Sequence, residues 1–228
     1  ATERVISEFL KLICGKDAVK ILDAYRETIA VIIPEITVMF NFNQNNIHHS
    51  YDLWQHTLTA LGTIEPNPIL RMTMLLHDIG KPSVKTTDNS GQSHFQGHQL
   101  ESKKIADRIL HRLRLPSDFI NKTLLLIEYH DVRFNGSKKL MKKVMNVLGT
   151  DLTKQLLEVE YADISAQSEY QREEKLGYLE TAKTHLNEII KDNECFKLSQ
   201  LDINGKDVLN LGVKEGRDVG NILDYLLM

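Results

Sequence analysis

Two adjacent ionisable residues, His77 and Asp78, stand near the end of an apolar run, Ile69 to Ile79, in which Met72, Met74, Leu75 and Leu76 leave no solvent face. An imidazole beside a carboxylate can hold a divalent cation or move a proton. Burying the two costs several kcal/mol unless charged partners or a cation compensate. The remaining chain supplies such partners at helical spacing. Leu152, Leu156, Val159, Asp163 and Ala166 form a stripe at steps of three and four that puts a carboxylate on an apolar face. Ile120, Thr123 and Ile127 lead in the same way to His130, which Asp131 follows at once. His98 heads the stripe Ser102, Ile105, Ile109 and Leu113, and His56 shares a face with Leu53 and Ala60.

Taken singly, each of these is a core histidine bonded to a carbonyl, or an inward aspartate capping a neighbouring helix. Five helices that each bring a histidine or carboxylate to one shared core form the pattern of a metal site, because cations neutralise carboxylates and neutral imidazoles donate lone pairs. The two cysteines, Cys14 and Cys195, have no ligand spacing and fit a reducing compartment. A thiolate-free mixture of imidazole and carboxylate suits Mn, Fe, Co, Ni, Zn or Mg and does not choose among them.

The elements that must carry these residues read as helix after helix. Helical spacing predicts helices over 5–13, 18–31, 52–64, 69–79, 98–113, 117–131, 138–148, 152–172 and 176–190, with a short segment at 36–40. Gly80 is expected to close the central helix in the left-handed conformation and Pro82 to stop it, which puts His77 and Asp78 in its last turn. Polar loops are expected over 41–50 and 82–94, and a looser tail over 198–228 contains Gly205, Gly212, Gly216 and Gly220. No repeat, low-complexity tract or strand alternation is found. The fold class is all-α, a helical bundle with a small helical tail.

With 228 residues, 42% hydrophobic and 26% charged, the chain can bury one sizeable core. A formal net charge of −3 excludes a generally basic nucleic-acid binder, though not a local basic face. The basic residues Arg133, Lys138, Lys139, Lys142 and Lys143 are the candidate for one, weighed against a solvated surface, and the flanking Tyr129 and Phe134 do not make a stacking platform. No apolar run approaches the roughly 18 residues of a membrane span, so a soluble cytoplasmic protein with no membrane partner is expected. The chain opens at Ala1 and stops at Met228 inside an apolar run, which reads as a piece of something longer.

The ordered set His56, then His77-Asp78, then Asp163 resembles the H, HD, D signature of the HD-domain superfamily of metal-dependent phosphohydrolases, whose fold is all-helical. His98 and His130 resemble the two further histidines of members that hold two metals. Longer stretches, Tyr51 to Leu58, Leu76 to Pro82, His94 to His98, Tyr161 to Asp163 and Leu201 to Val208, are similar to the HD portion of bacterial CCA-adding tRNA nucleotidyltransferases. The resemblance implies that one metal takes His56, His77, Asp78 and Asp163, and a second takes His98 and His130 with Asp78 bridging. It implies hydrolysis of phosphomonoesters or 2′,3′-cyclic phosphodiesters of nucleotides or RNA, with tRNA as a further partner. Lys81 is placed to hold a phosphate oxygen, or equally to complement a helix C-terminus. His94 and Asp131 are candidates for orienting a ligand or protonating the leaving group. No Gly-Ser element followed by paired aspartates is found, so nucleotide addition is not assigned. The expected organisation is a helical segment over 1–50, an HD domain over 51–195 and a helical tail over 196–228. A non-catalytic tRNA-binding body and a metal-dependent regulatory module without turnover are the alternatives.

Overall fold

Apolar residues at helical spacing become helices nearly throughout the computed structural model, which describes residues 2–45, 48 and 51–227. Part of the polar loop expected over 41–50, together with Ala1 and Met228, lies outside the described residues. Among the described residues there are twelve α-helices and a single two-stranded hairpin, so the chain is all-α. The chain divides into a first unit, 1–132 with 155–176, and a second, 133–154 with 177–228.

In the first unit, α1 (Thr2–Ile13) precedes α2 (Ala18–Ala24) and α3 (Arg26–Ile32). The single helix expected over 18–31 breaks at Tyr25, whose φ of −116° leaves the helical region. A 3₁₀ turn over Pro34–Met39 follows, started by the proline. Asp52 then caps α4 (Leu53–Thr63) by accepting the Gln55 amide at 2.8 Å, and Asn67 caps α5 (Pro68–Leu76). Each such cap stabilises its helix by about 1 kcal/mol. Nearly all of α5 is buried, and Trp54 of α4 with Met72, Met74 and Leu75 of α5 are among the largest fully buried side chains.

The turn after α5 differs from expectation. Gly80 has φ −81° and ψ −15°, an ordinary right-handed conformation, and Pro82 lies in the first turn of a short helix, α6 (Lys81–Val84). The glycine is needed for space: a Cβ there would lie 2.5 Å from the Ser102 amide nitrogen and 2.8 Å from the His98 carbonyl. Ser102 Oγ accepts the Gly80 amide at 2.9 Å. The next helix, α7 (His98–Arg112), therefore comes into backbone contact beside Asp78. The loop between α6 and α7 also carries the hairpin, β1 (Thr86–Thr87) paired antiparallel with β2 (Ser93–His94). Helix α8 (Ser117–Tyr129) packs on both α7 and α5.

Helix α9 (Lys138–Ala166) is interrupted at Gly149, where φ 72° and ψ 173° are non-helical, and its residues from Gln155 onward belong to the first unit. Helix α10 (Arg172–Lys191) begins in the first unit and continues in the second. A 3₁₀ turn (Leu198–Gln200), α11 (Gly205–Asn210) and α12 (Arg217–Leu227) complete the second unit. No helix among the described residues is long and apolar enough to cross a membrane.

Candidate metal centre

Helix ends aim three of the four histidines that converge in the first unit. The last carbonyls of a helix have no intrahelical partner. His77 caps α5 and His130 caps α8, and each turns its Nδ1 onto the carbonyl three residues back, Met74 at 2.7 Å and Ile127 at 2.6 Å. His98, at the start of α7, repeats the device on the Phe95 carbonyl at 2.9 Å. His56 on α4 places Nδ1 3.3 Å from the Ala166 carbonyl. A carbonyl only accepts, so each Nδ1 carries a proton, and when a ring is neutral, as a metal ligand must be, it turns a lone pair on Nε2 toward the others.

Those Nε2 atoms meet two carboxylates. His56 Nε2 lies 2.9 Å from Asp163 Oδ1 and 3.4 Å from Asp78 Oδ2; His77 Nε2 lies 3.1 Å from Asp78 Oδ2 and 3.5 Å from Asp163 Oδ1. On the other side of the same aspartate, Asp78 Oδ1 lies 3.2 Å from His98 Nε2 and 3.6 Å from His130 Nε2. Two donor groups result, His56-His77-Asp78-Asp163 and Asp78-His98-His130, each with its atoms within 4.8 Å of one another. Asp78 belongs to both and offers a different oxygen to each.

Lone pairs facing lone pairs repel unless something positive lies between them. His98 and His130 bring their Nε2 atoms to 3.2 Å of each other, where at most one can carry a proton pointed at its neighbour. His77 Nε2 and Asp78 Oδ1 are buried, and the contacts around them are too poorly aligned to count as regular hydrogen bonds. Donors about 2.0–2.2 Å from a shared cation stand roughly 3 to 4 Å from one another, which is the spacing found here. The residues fit a divalent cation in each group.

Residues 47–192 match the HD domain family. The chain belongs to the HD domain family. Among curated proteins it is 30% identical to the CC-adding tRNA nucleotidyltransferase of Thermus thermophilus, an alignment covering 100% of this chain and 52% of that protein. It is 30% identical to the A-adding tRNA nucleotidyltransferase of Deinococcus radiodurans over 58% of this chain and 32% of the relative. It is 28% identical to a multifunctional CCA protein of Legionella pneumophila over 62% of this chain and 37% of the relative. The chain thus spans about half the length of the Thermus relative, and its aligned part about a third of the other two.

Within this HD site, charge is tightly coupled. Burial alone would lower the His77 pKa, but the charge of Asp78 and bonding to Asp163 outweigh it and raise it to about 10. Burial likewise opposes His56, which Asp163 and Asp78 nonetheless push up. Burial favours the neutral forms of Asp78 and Asp163, yet both are held well below the usual carboxylate range, Asp78 by His77 and Lys81 and Asp163 by His56 and His77. Without a cation, protons and Lys81 therefore neutralise the carboxylates.

Lys81 is buried, with Nζ 2.6 Å from Asp78 Oδ2 and 3.1 Å from Gln44 Oε1. His94 belongs to neither donor group: it is exposed on the hairpin with Nε2 2.8 Å from Asp88 Oδ2. Asp131 follows His130 into solvent, where its charge is felt by Glu160. Glu160 went unnoticed in the sequence although it lies one turn before Asp163. It is 5% exposed, and burial, then the charges of Asp163 and Asp131, push its carboxyl well above the usual range. Gln167, one turn beyond Asp163, was also missed; its Nε2 donates to Asp163 Oδ2 at 2.8 Å. Gln44 comes from a polar loop with no periodic signal, so only the fold could bring it to Lys81.

Proposed function

We propose that the chain is a metal-dependent phosphohydrolase acting on a phosphomonoester or 2′,3′-cyclic phosphodiester of a nucleotide or RNA. The observation that carries the reading is the convergence of four histidine Nε2 atoms on the two oxygens of Asp78 and on Asp163, with every Nδ1 turned onto a backbone carbonyl. His56, His77, Asp78 and Asp163 would hold one divalent cation, and His98, His130 and the second oxygen of Asp78 another. The chemistry supplied by such a cation is polarisation of a phosphoryl oxygen and acidification of an attacking water. Lys81, beside Asp78, would hold a phosphate oxygen as a point charge. For protonating the leaving oxygen the chain offers Asp131, next to His130, and His94, oriented by Asp88. That the relatives are named tRNA nucleotidyltransferases supports a nucleotide or RNA substrate.

The test is hydrolysis of bis-p-nitrophenyl phosphate and of a 2′,3′-cyclic nucleotide by chelator-stripped protein reloaded with Mn, Co or Ni. Turnover that disappears in His77→Ala supports the reading. Absence of turnover with every metal, or equal turnover by His77→Ala, overturns it. The relatives also support a second reading, a tRNA-binding body without hydrolysis. That reading requires tRNA binding that weakens steeply with salt while neither ester is cleaved.

A further inference from the structure

The two oxygens of Asp163 are used differently. Oδ1 faces His56 and His77 at 2.9 and 3.5 Å. Oδ2 turns the other way and accepts from Gln167 Nε2 at 2.8 Å, while Gln167 Oε1 accepts from Lys175 Nζ at 2.6 Å. Chemistry allows the bridging amide only one orientation, because an ammonium has only protons to offer and a carboxylate only lone pairs. Gln167 is held at its backbone as well, where its carbonyl accepts from Arg172. Lys175 also stands 3.4 Å from His48 Nδ1, and the His48 carbonyl accepts the Ser168 amide at 2.8 Å. A chain of directed contacts thus runs from the segment after α9 and the start of α10 to one oxygen of one ligand.

Asp163 is the donor that most needs such a tether. Its side chain is 16% exposed, whereas those of His56, His77, Asp78 and His130 are at most 2% exposed and are packed in place. A carboxylate reached by water can turn both oxygens onto a cation or swing away from it. Fixing Oδ2 leaves Oδ1 as the one oxygen on the donor side.

We infer that Gln167 and Lys175 are positioning residues that hold Asp163 as a one-oxygen donor to a cation in the His56-His77-Asp78-Asp163 group, an inference that rests on the cation-binding function proposed above. Groups that orient a metal ligand typically change affinity by about 10- to 100-fold. Lys175 makes the inference sharply testable, since its two conceivable effects have opposite signs. Acting only as a positive charge, it repels a cation, and Lys175→Met tightens binding. Acting through Gln167, it orients Asp163, and the same variant weakens binding.

The experiment titrates the chelator-stripped 228-residue protein with cobalt(II), reading affinity by calorimetry and ligand geometry by the visible absorption band. Far-UV circular dichroism in EDTA checks that each variant is folded. Gln167→Met and Lys175→Met are expected to lose about 10- to 100-fold in cobalt affinity and to shift the band, with Lys175→Arg close to wild type. Cobalt binding by both Met variants as tight as wild type, or tighter, with an unchanged band overturns the tether and leaves the proposed cation site standing. Wild-type protein that binds no cobalt overturns both. Should Gln167→Met fail to fold, Lys175→Met against Lys175→Arg still decides.

Discussion

His77 in the first unit and His185 in the second each have one ring nitrogen on a backbone carbonyl and the other near a carboxylate, and there the likeness ends. His185 places Nε2 3.0 Å from the Gly136 carbonyl and Nδ1 3.4 Å from Glu188, with its side chain 21% exposed. Around it Lys138 reaches Glu188 at 3.3 Å and Glu194 at 2.5 Å, and Lys142 reaches Glu194 at 3.0 Å. Bonding to Glu194 raises the Lys138 pKa, and the carboxyls shift down in turn, Glu188 beside His185 and Glu194 beside Lys138. Every charge there has a neighbour of opposite sign and water nearby. His77 is fully buried, and its cluster sets four imidazole lone pairs against two carboxylates with Lys81 as the one lysine among the contacts described. Similar residue types make a satisfied surface in one place and a site that calls for cations in the other. The difference lies in burial and in the count of donors against acceptors.

Removing the shared carboxylate should break the comparison most severely. Asp78→Ala takes a ligand from both donor groups and is expected to reduce cation content by elemental analysis to near zero, whereas His98→Ala should lose only the part held beside His130. Content in Asp78→Ala equal to wild type would falsify the assignment of both groups.

Acidity should come next. Cation binding must displace the proton that His77 retains up to about pH 10, so cobalt affinity is expected to rise by up to tenfold per pH unit between pH 6 and 9 for each proton displaced. In the cation-free protein the sign is reversed. The raised pKa values of His56 and His77 stabilise the fold fully below the ordinary imidazole value of about 6.5, and this contribution is lost as pH rises toward about 10. The lowered values of Asp78 and Asp163 stabilise it above about pH 4 and are lost as pH falls. The melting temperature in EDTA should therefore fall from pH 6.5 to 10, and nickel should flatten that slope. A slope unchanged by nickel would count against cation binding at these histidines.

A smaller effect is expected from Gly80→Ala. Its Cβ would meet the α7 backbone at 2.5 Å, so urea denaturation should show a loss of about 1–3 kcal/mol. Full stability would mean that α7 gives way without cost. Smallest of all, Lys138→Ala should leave cobalt affinity unchanged and move the melting temperature least in this series, since exposed ion pairs contribute little. A clear loss of cobalt binding in that variant would contradict the reading of the Lys138 cluster as a satisfied surface.

Much of the cluster is legible in the chain because helical periodicity reports which face is buried, and a charged residue on such a face is conspicuous. His56, His98, His130 and Asp163 were each visible as an interruption of an apolar stripe. Glu160 and Gln167 escaped the same reading, since Glu160 lies just beside the stripe Leu156-Val159-Asp163 and Gln167, four residues after Asp163, carries no charge that stands out among its neighbours. The basic stretch shows the opposite limit. A run of lysines can be read as a phosphate contact or as a solvated face, and only the fold brings Glu188 of α10 and Glu194 just beyond it to Lys138 and Lys142.

The all-helical class, the ordered histidines and aspartates, and the need for something positive among them can be read from the chain, because they depend on local spacing and on the cost of burying charge. Tertiary structure alone decided which oxygen of Asp78 serves which pair of histidines, that Gly80 is a point of backbone contact and not a left-handed cap, and that Gln44 meets Lys81 while Gln167 and Lys175 stand behind Asp163. These depend on where separate segments come to rest against one another. No periodicity within one segment encodes a distance to another.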